Sequence, residues 1–292
     1  MNKQWKKTIL IWTMLLIFIS SIPVFMGFLN QNEQWRFSGF VMNIDDGNSY
    51  ITKMMQGYQG AWLYKAPYSL EPQNGLLVFF PYILLGKLGY PPALHTQMIV
   101  IFHMFRVFGI VVMTYGINRF IKLFHLKIEY RLLVLILSTA GGGTGWLIML
   151  WGQSKLAGWV PLEFISPEGF GFISAYTIPH LALARGLLFG SIAFFLEGIE
   201  KWQENGNFPA KWIYCAAGVF VIGFLQPIYC AIAGLWMVII VVLFSIKRGK
   251  FLKYSKREVI QVFLVLVPAF LWVGYMLTMN LIDPYLKEWN KQ

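Results

Sequence analysis

The sequence predicts an all-α polytopic membrane protein, with about seven transmembrane helices and with interfacial helices in the first outer loop. Hydrophobic residues make up 57% of the 292-residue chain and charged residues only 13%, against roughly 25% charged residues in soluble domains. The mean hydropathy is +0.58. Long apolar runs alternate with short clusters of lysine and arginine, which is typical of multi-pass proteins. We expect one transmembrane domain over 1–292, located in the cell membrane.

The net charge of +11 would indicate nucleic-acid binding in a soluble chain. Here the cations lie in short segments between apolar runs, so membrane orientation explains them and no nucleic-acid partner is expected. Cys215 and Cys230 lie inside apolar runs and lack metal-ligand spacing. They are expected to be small packing residues without a disulfide.

Seven of the eight apolar runs are predicted to cross the membrane. The first is longer than a signal-peptide core and no small-x-small cleavage site follows it, so it is expected to remain as a span. The remaining run, 75–89, contains Pro81 and Lys87. As a helix it would extend only about 22 Å, less than the roughly 30 Å apolar core of a bilayer. The predicted spans are 8–29, 96–121, 132–151, 180–199, 212–226, 228–246 and 259–280.

The distribution of basic residues supports this count. With seven spans, fifteen lysines and arginines lie in inner segments and seven in outer segments. If 75–89 crossed as well, the basic cluster 247–257 would face outward, against the positive-inside rule. We therefore predict a cytoplasmic N-terminus, a C-terminus outside, and two long outer loops, 30–95 and 152–179.

Two features within the apolar runs leave alternatives open. The run 212–246 is too long for one crossing, and Gln226-Pro227 is expected to break it into two spans, with a kinked, partly re-entrant arrangement as the alternative. The glycine-rich stretch 141–145 lacks the Gly-Lys-Ser/Thr ending of a phosphate-binding loop and is expected to allow close helix packing inside its span.

The first outer loop concentrates carboxylates in an otherwise apolar chain. Asp45 and Asp46 follow the first span closely, Glu71 lies further along, and Tyr50 and Tyr68 are among the aromatic residues between them. Two adjacent carboxylates can divide labour, one accepting a proton from an attacking hydroxyl and the other orienting it or holding a metal ion. The alternative is that Asp45-Asp46-Gly47 simply forms a turn.

Two arginines are predicted in the outer half of the membrane, where a charge is costly and usually functional. Arg106 lies in the span 96–121 and Arg185 in the span 180–199. A guanidinium group donates two parallel hydrogen bonds to phosphate, whereas the alternative is snorkelling to the headgroups. His180 opens its span after Pro179, and a structural hydrogen bond is its more ordinary role. Glu163 and Glu168 in the second outer loop are further candidates for a metal or acceptor site.

These residues resemble the GT-C superfamily of membrane glycosyltransferases. The resemblance is carried by an acidic pair after the first span, by Ala66-Pro67-Tyr68, by Phe80-Pro81-Tyr82-Ile-Leu-Leu-Gly86, by a span bearing Arg106 and by Pro179-His180, and it covers roughly residues 8–200. It implies a seven-span core with interfacial helices in the first outer loop, and it places the catalytic aspartate at Asp45 or Asp46.

The resemblance implies inverting transfer of a hexose or pentose from a polyprenyl-phosphate carrier to a lipid or glycan acceptor on the outer face of the membrane. One aspartate would act as the base and Arg106 and Arg185 would hold the leaving phosphate, with Glu71, His180, Tyr50 and Tyr68 as further substrate-binding residues. No cofactor is required, although Asp45 and Asp46 are the expected ligands if Mg²⁺ or Mn²⁺ takes part. Members of the superfamily usually continue beyond seven spans, so a truncated or split form with a partner chain that supplies a C-terminal part is considered beside a minimal core.

The competing hypothesis is a non-enzymatic membrane protein, such as a transporter or a lipid-binding or partner subunit. A transporter should place its functional charges near the middle of the membrane and show repeats. This chain instead concentrates its carboxylates outside the bilayer and shows no repeat, which favours the enzyme.

Overall fold

The computed structural model describes residues 3–153, 155, 158–247, 249, 255–289 and 291. Arg248, Lys250 and Lys253 of the predicted inner basic cluster lie outside the described residues, as do positions 154, 156 and 157 of the second predicted outer loop. Within the described ranges the chain is helical without a β-strand, apart from an isolated antiparallel bridge between Tyr64 and Leu76.

Thirteen α-helices are found in these ranges. They are α1 (Lys3–Leu29), α2 (Ile44–Tyr58), α3 (Phe80–Gly86), α4 (Leu94–Ile121), α5 (Ile128–Ala140), α6 (Gly145–Leu150), α7 (Leu162–Ile165), α8 (Gly171–Thr177), α9 (Pro179–Asn205), α10 (Ala210–Leu225), α11 (Pro227–Lys247), α12 (Lys256–Ile282) and α13 (Pro284–Trp289).

Five of these helices are long and apolar enough to cross a membrane: α1, α4 with its 3₁₀ extension to Phe124, the part of α9 up to Ile199, α11 and α12. The chain is therefore an all-α multi-pass membrane protein. Many large apolar side chains on α1, α11 and α12 are exposed, among them Phe18, Leu235 and Phe270. Such surfaces are suited to contact with lipid.

Three sequence expectations about the shorter segments can be compared with the helices. The run 75–89 contains only the seven-residue helix α3, which is too short to span. The break at Gln226-Pro227 is confirmed, because α10 ends at Leu225 and α11 begins at Pro227. The run 132–151, predicted as one continuous span, is instead divided into α5 and α6 by 141–144.

α4 and α9 form the most extensive helix contact in the described structure. Their backbones approach closely at Gly116 and Gly186, where a Cβ atom on either residue would collide with the backbone of the other helix. At the far end of this pair, Glu197 of α9 accepts from Arg119 of α4 at 2.6 Å and from Lys211 of α10 at 2.7 Å. This ion-pair cluster joins three helices at the predicted inner end.

α2 and α3 lie across the opposite end of the bundle, which we call the α2 end. A buried cluster joins α2 to the termini of other helices there, through residues such as Phe28, Leu94, Leu181 and Leu225. α2 and α3 approach so closely that a Cβ atom on Gly57 or Gly86 would collide with a carbonyl group of the facing helix. The position of α2 over the helix ends is therefore fixed by packing.

Candidate functional site

The acidic pair lies at the start of α2. Asn43 has a left-handed backbone with φ of 54°, and Asp45 and Asp46 occupy the first helical turn after it. Both carboxylates are exposed, and Asp46 Oδ2 accepts a hydrogen bond from Asn43 Nδ2 at 3.2 Å. The residues Asp45-Asp46-Gly47 thus belong to a helix and not to a turn. Negative charge is favourable at this position because the helix dipole is positive there.

Lys53 lies on the same face of α2, seven residues after Asp46, and is only 4% exposed. Its Nζ donates to Ser49 Oγ at 2.7 Å and lies 4.6, 4.8 and 4.7 Å from the ring centres of Tyr50, Tyr64 and Phe79. Burial lowers the pKa of Lys53 to about 8, and the nearby Asp46 carboxylate acts in the opposite direction. A nearly buried ammonium group is thus held by aromatic rings and one hydroxyl.

His180 lies behind this face and links α9 to α3. It is 3% exposed, and its Nδ1 is 2.9 Å from the hydroxyl of Tyr82. The ring of Tyr50 stacks on Tyr82 with 4.5 Å between centres and meets His180 edge-on at 5.2 Å. Burial and the charge of Asp46 raise the pKa of Tyr50. The contacts of His180 and Tyr50 agree with a role in supporting the first turn of α2, which carries Asp45 and Asp46.

The second predicted outer loop reaches the same region. Arg185 of α9 donates to the carbonyl oxygen of Glu168 at 2.8 Å, and the hydroxyl of Tyr229, on α11, donates to the same oxygen at 3.4 Å. The charge of Glu168 acts together with that of Asp46 to raise the pKa of Tyr50. The structure therefore joins Glu168 to α9 and α11, near enough to α2 for its charge to act on Tyr50.

Arg106 is placed differently, inside the bundle between α4, α1 and α8. It is 2% exposed, and its guanidinium donates to Ser20 Oγ and Ser21 Oγ, each at 2.8 Å, and to the carbonyl oxygen of Ala175 at 3.5 Å. Arg106 Nε lies 3.3 Å from Nδ1 of His103. These contacts join three helices below the α2 end.

A groove of about 450 Å³ runs between α1 and α4 beside this arginine. Its lining is mostly apolar and includes Val24, Phe28 and Ile99, with His103 and Arg106 as the charged or titratable members. The volume falls within the range of roughly 300–1,000 Å³ that is common for small-molecule sites. The groove combines an apolar surface with a cationic side chain.

The remaining candidates are divided between two places. Glu71 and Tyr68 are exposed in the loop after α2 and line a separate cavity of about 340 Å³ against α13. Glu163 is buried and accepts a hydrogen bond from the backbone N–H of Gly145. Its contact therefore orders the glycine-rich segment, and Glu168 is the glutamate of this loop whose charge acts on Tyr50 of α2.

Sequence reasoning missed Lys53 and Tyr229 as site residues. Lys53 was given no role in the site, although a helix over this segment would place it on the face of Asp46, since seven residues make nearly two full turns. A metal site was also considered. The described part of the chain contains no group of three or more histidine, cysteine, aspartate or glutamate side chains that could hold a metal ion.

Comparisons with models of protein families, with curated proteins and with solved structures gave no match for this chain. The resemblance to the GT-C superfamily therefore depends on the sequence motifs given above.

Proposed function

We propose that this chain is a glycosyltransferase that moves a sugar from a polyprenyl-phosphate carrier to an acceptor hydroxyl on the outer face of the membrane, alone or with a partner chain. In this proposal the α2 end is the outer end. Seven crossings would comprise the five long helices, the shorter α10, and α5 together with α6. A helix of sixteen residues such as α10 extends roughly 24 Å, slightly less than the bilayer core.

The observation that carries the proposal is a set of three cations with neutral partners. The hydrogen bonds of Lys53, Arg106 and Arg185 go to hydroxyl groups, carbonyl oxygens and an imidazole nitrogen, and in the described structure none of the three forms an ion pair. Lys53 and Arg106 are buried, and a cation removed from water is costly unless an anion accompanies it. An anionic ligand such as a phosphate would therefore be bound favourably here.

The carboxylates of the acidic pair would supply the general base. Asp46 lies two helical turns before Lys53 on the same face of α2, and its charge acts on Tyr50 and Lys53. We assign Asp46 as the base, with Asp45 beside it in an orienting role. The base takes the proton of the acceptor hydroxyl as its oxygen attacks the anomeric carbon. The bond from that carbon to the phosphate oxygen breaks in the same displacement, which inverts the configuration.

The cations and the groove would bind the carrier. The polyprenyl chain would lie in the apolar groove between α1 and α4, and Arg106 and Arg185, with Lys53, would offset the charge that develops on the departing phosphate. This chemistry does not require a metal ion, and Asp45 and Asp46 remain the proposed ligands if one takes part. The arrangement accounts for an apolar groove and an acidic helix end in the same region.

The test is transfer of label from radiolabelled polyprenyl-phosphate sugars in membranes that contain the native chain, Asp45→Asn or Asp46→Asn. Both side chains are exposed, and asparagine keeps their shape while removing the base. We expect Asp46→Asn to lower transfer by about 10²- to 10⁴-fold, the usual contribution of a general base.

Glu129→Gln is the control, because Glu129 is an exposed carboxylate in the first turn of α5. It should transfer label at the native rate. Equal transfer by the native chain and both aspartate variants would show that the acidic pair is structural and that the mechanism is wrong.

A further inference from the structure

A second site lies beside the first turn of α2, in the cavity of about 340 Å³ between the loop that follows α2 and helix α13. We call it the aromatic pocket. It is lined by residues of α2, of the loop that follows α2, and of α13, namely Ser49, Tyr64, Ala66, Tyr68, Ser69, Glu71, Tyr285, Glu288 and Trp289. Of these residues, Tyr68 and Glu71 were predicted as substrate-binding residues, without any relation to α13.

The walls of this pocket are held in place by hydrogen bonds that join distant parts of the chain. Asp283 is 1% exposed, and its Oδ2 accepts from the backbone N–H of Asn74 at 2.8 Å. The hydroxyl of Tyr275 accepts from the backbone N–H of Leu77 at 2.9 Å. A buried cluster that includes Leu76 and Met279 completes the attachment of α12 and α13 to the loop. The pocket is therefore preformed, which lowers the entropic cost of binding.

The lining combines aromatic rings with hydroxyl and carboxylate groups. Burial raises the pKa of Tyr64 to about 12, with contributions from Tyr285 and Tyr68, so the three phenol groups are close enough to interact. Glu288 is paired with Lys291 at 2.9 Å. Aromatic faces offer an apolar surface while phenols and carboxylates exchange hydrogen bonds at its edges.

This combination selects the class of ligand. The carboxylates of Glu71 and Glu288 disfavour an anion, and the polar part of the lining disfavours a purely apolar lipid tail. A saccharide presents C–H faces that stack on aromatic rings and hydroxyl groups that donate to carboxylates. We propose that the aromatic pocket binds a saccharide.

The position of the pocket indicates which saccharide it takes, and this step rests on the proposed function. Ser49 lines the pocket, accepts the hydrogen bond of Lys53, and follows Asp46 by three residues on the same helix. A sugar in the pocket would therefore lie next to the helical turn that carries the base. We assign the pocket to the acceptor glycan, with the donor carrier on the other side of α2.

Binding can be measured apart from transfer by saturation-transfer NMR on the full chain in lipid nanodiscs. The probes are the methyl glycosides of glucose, galactose, mannose and N-acetylglucosamine, with tetramethylammonium as a cationic probe for the same aromatic faces. The variants are Trp289→Ala and Glu288→Gln. The control is Trp62→Ala, since Trp62 is 61% exposed and stacks on Phe80 outside the pocket.

We expect at least one glycoside to bind, and we expect Trp289→Ala to weaken its affinity by about tenfold, since a stacked ring contributes on that scale. Glu288→Gln should weaken it severalfold, while Trp62→Ala should leave it unchanged. The assignment is overturned if no glycoside binds, if binding does not depend on Trp289, or if tetramethylammonium alone binds.

Asp46→Asn separates this inference from the proposed function. If the pocket receives the acceptor, this variant binds the glycoside normally and loses transfer. Binding that depends on Trp289 without any transfer by the native chain would keep the saccharide site and refute transfer by this chain alone. Transfer that is unaffected by Trp289→Ala would refute the acceptor role alone.

Discussion

Replacing Lys53 by methionine should make the protein more stable at neutral pH while impairing its function. Lys53 is 4% exposed, and among the described residues the hydrogen bond of its ammonium group goes to a neutral hydroxyl, Ser49 Oγ. Methionine has a similar length and packs against aromatic rings without the cost of burying a charge. The variant therefore tests whether the charge of Lys53 destabilises the folded protein.

The size of the effect follows from the pKa. Burial lowers the pKa of Lys53 from its ordinary value of 10.5 to about 8, and at about 1.36 kcal/mol per tenfold change in proton affinity this costs the folded state roughly 3 kcal/mol near pH 7. Because the folded pKa is the lower one, the unfolded chain binds more protons between pH 8 and 10.5, so stability rises with pH in this window. Between pH 7 and pH 9.5 the Lys53 contribution to this rise is about 2 kcal/mol.

The assay compares thermal unfolding midpoints of the native chain and Lys53→Met in detergent at pH 7 and pH 9.5. Cys215 and Cys230 are buried and free, so a thiol-reactive dye labels them as the helices open. We expect the variant to have the higher midpoint at pH 7 and the difference to shrink toward pH 9.5. Lys65→Met, at an exposed lysine of the same loop, should show no such dependence.

A pH-independent difference, or a variant less stable than the native chain at pH 7, would refute this reasoning. The first result would mean that Lys53 keeps its ordinary pKa in the folded protein. The second would mean that the aromatic rings and Ser49 compensate the buried charge fully.

Two further predictions use the same labelling assay. Asp283→Ala removes the acceptor of the Asn74 N–H and should destabilise the chain by about 1–3 kcal/mol, because a hydrogen bond to a buried carboxylate is lost; an unchanged midpoint would show that this bond contributes nothing to stability. Gly116→Ala drives a methyl group into the backbone of Gly186, whereas a Cβ atom on Gly190 would lie 3.7 Å from its nearest neighbour, so Gly116→Ala should lower the midpoint markedly and Gly190→Ala should not. Equal midpoints for these two would contradict the close packing of α4 on α9.

The fold was predictable from the sequence where one local property decides the structure. Long uninterrupted apolar runs became the five long helices, since a helix satisfies its own backbone hydrogen bonds. Pro227 ended one helix and began another because proline lacks a backbone donor. The short run 75–89 formed only a seven-residue helix. Helices in the first outer loop were also predicted, and α2 and α3 are the result.

The division of the run 132–151 into two helices was not predicted, because a residue distant in sequence takes part in it. The run 132–151 reads as one apolar span, but Gly141, Gly142 and Gly143 favour helix poorly and the chain leaves the helix there. Glu163, eighteen positions after Gly145, accepts the N–H of that glycine. Apolar periodicity alone cannot reveal this partner.

The candidate site was also predicted only where the sequence itself distinguishes a residue. Asp45 and Asp46 stand out because carboxylates are rare in this chain. Both side chains are exposed, so a ligand can reach them. Lys53 resembles any other outer lysine until α2 is known to be a helix and its neighbours are known to be aromatic. Tyr229 lies 183 residues after Asp46 in the sequence, so only the packing of α11 against α9 brings its hydroxyl to Glu168.

The buried cations provide the strongest physical link between fold and function. The site of Lys53, lined by the rings of Tyr50, Tyr64 and Phe79, would accept an apolar side chain of similar length, so packing does not require a charge there. If Lys53→Met is more stable and yet fails to transfer sugar, the lysine costs stability and serves activity, which is the usual trade-off at a functional site. If the variant is more stable and fully active, the phosphate is held elsewhere, and Arg106 in the groove between α1 and α4 becomes the cation to replace next.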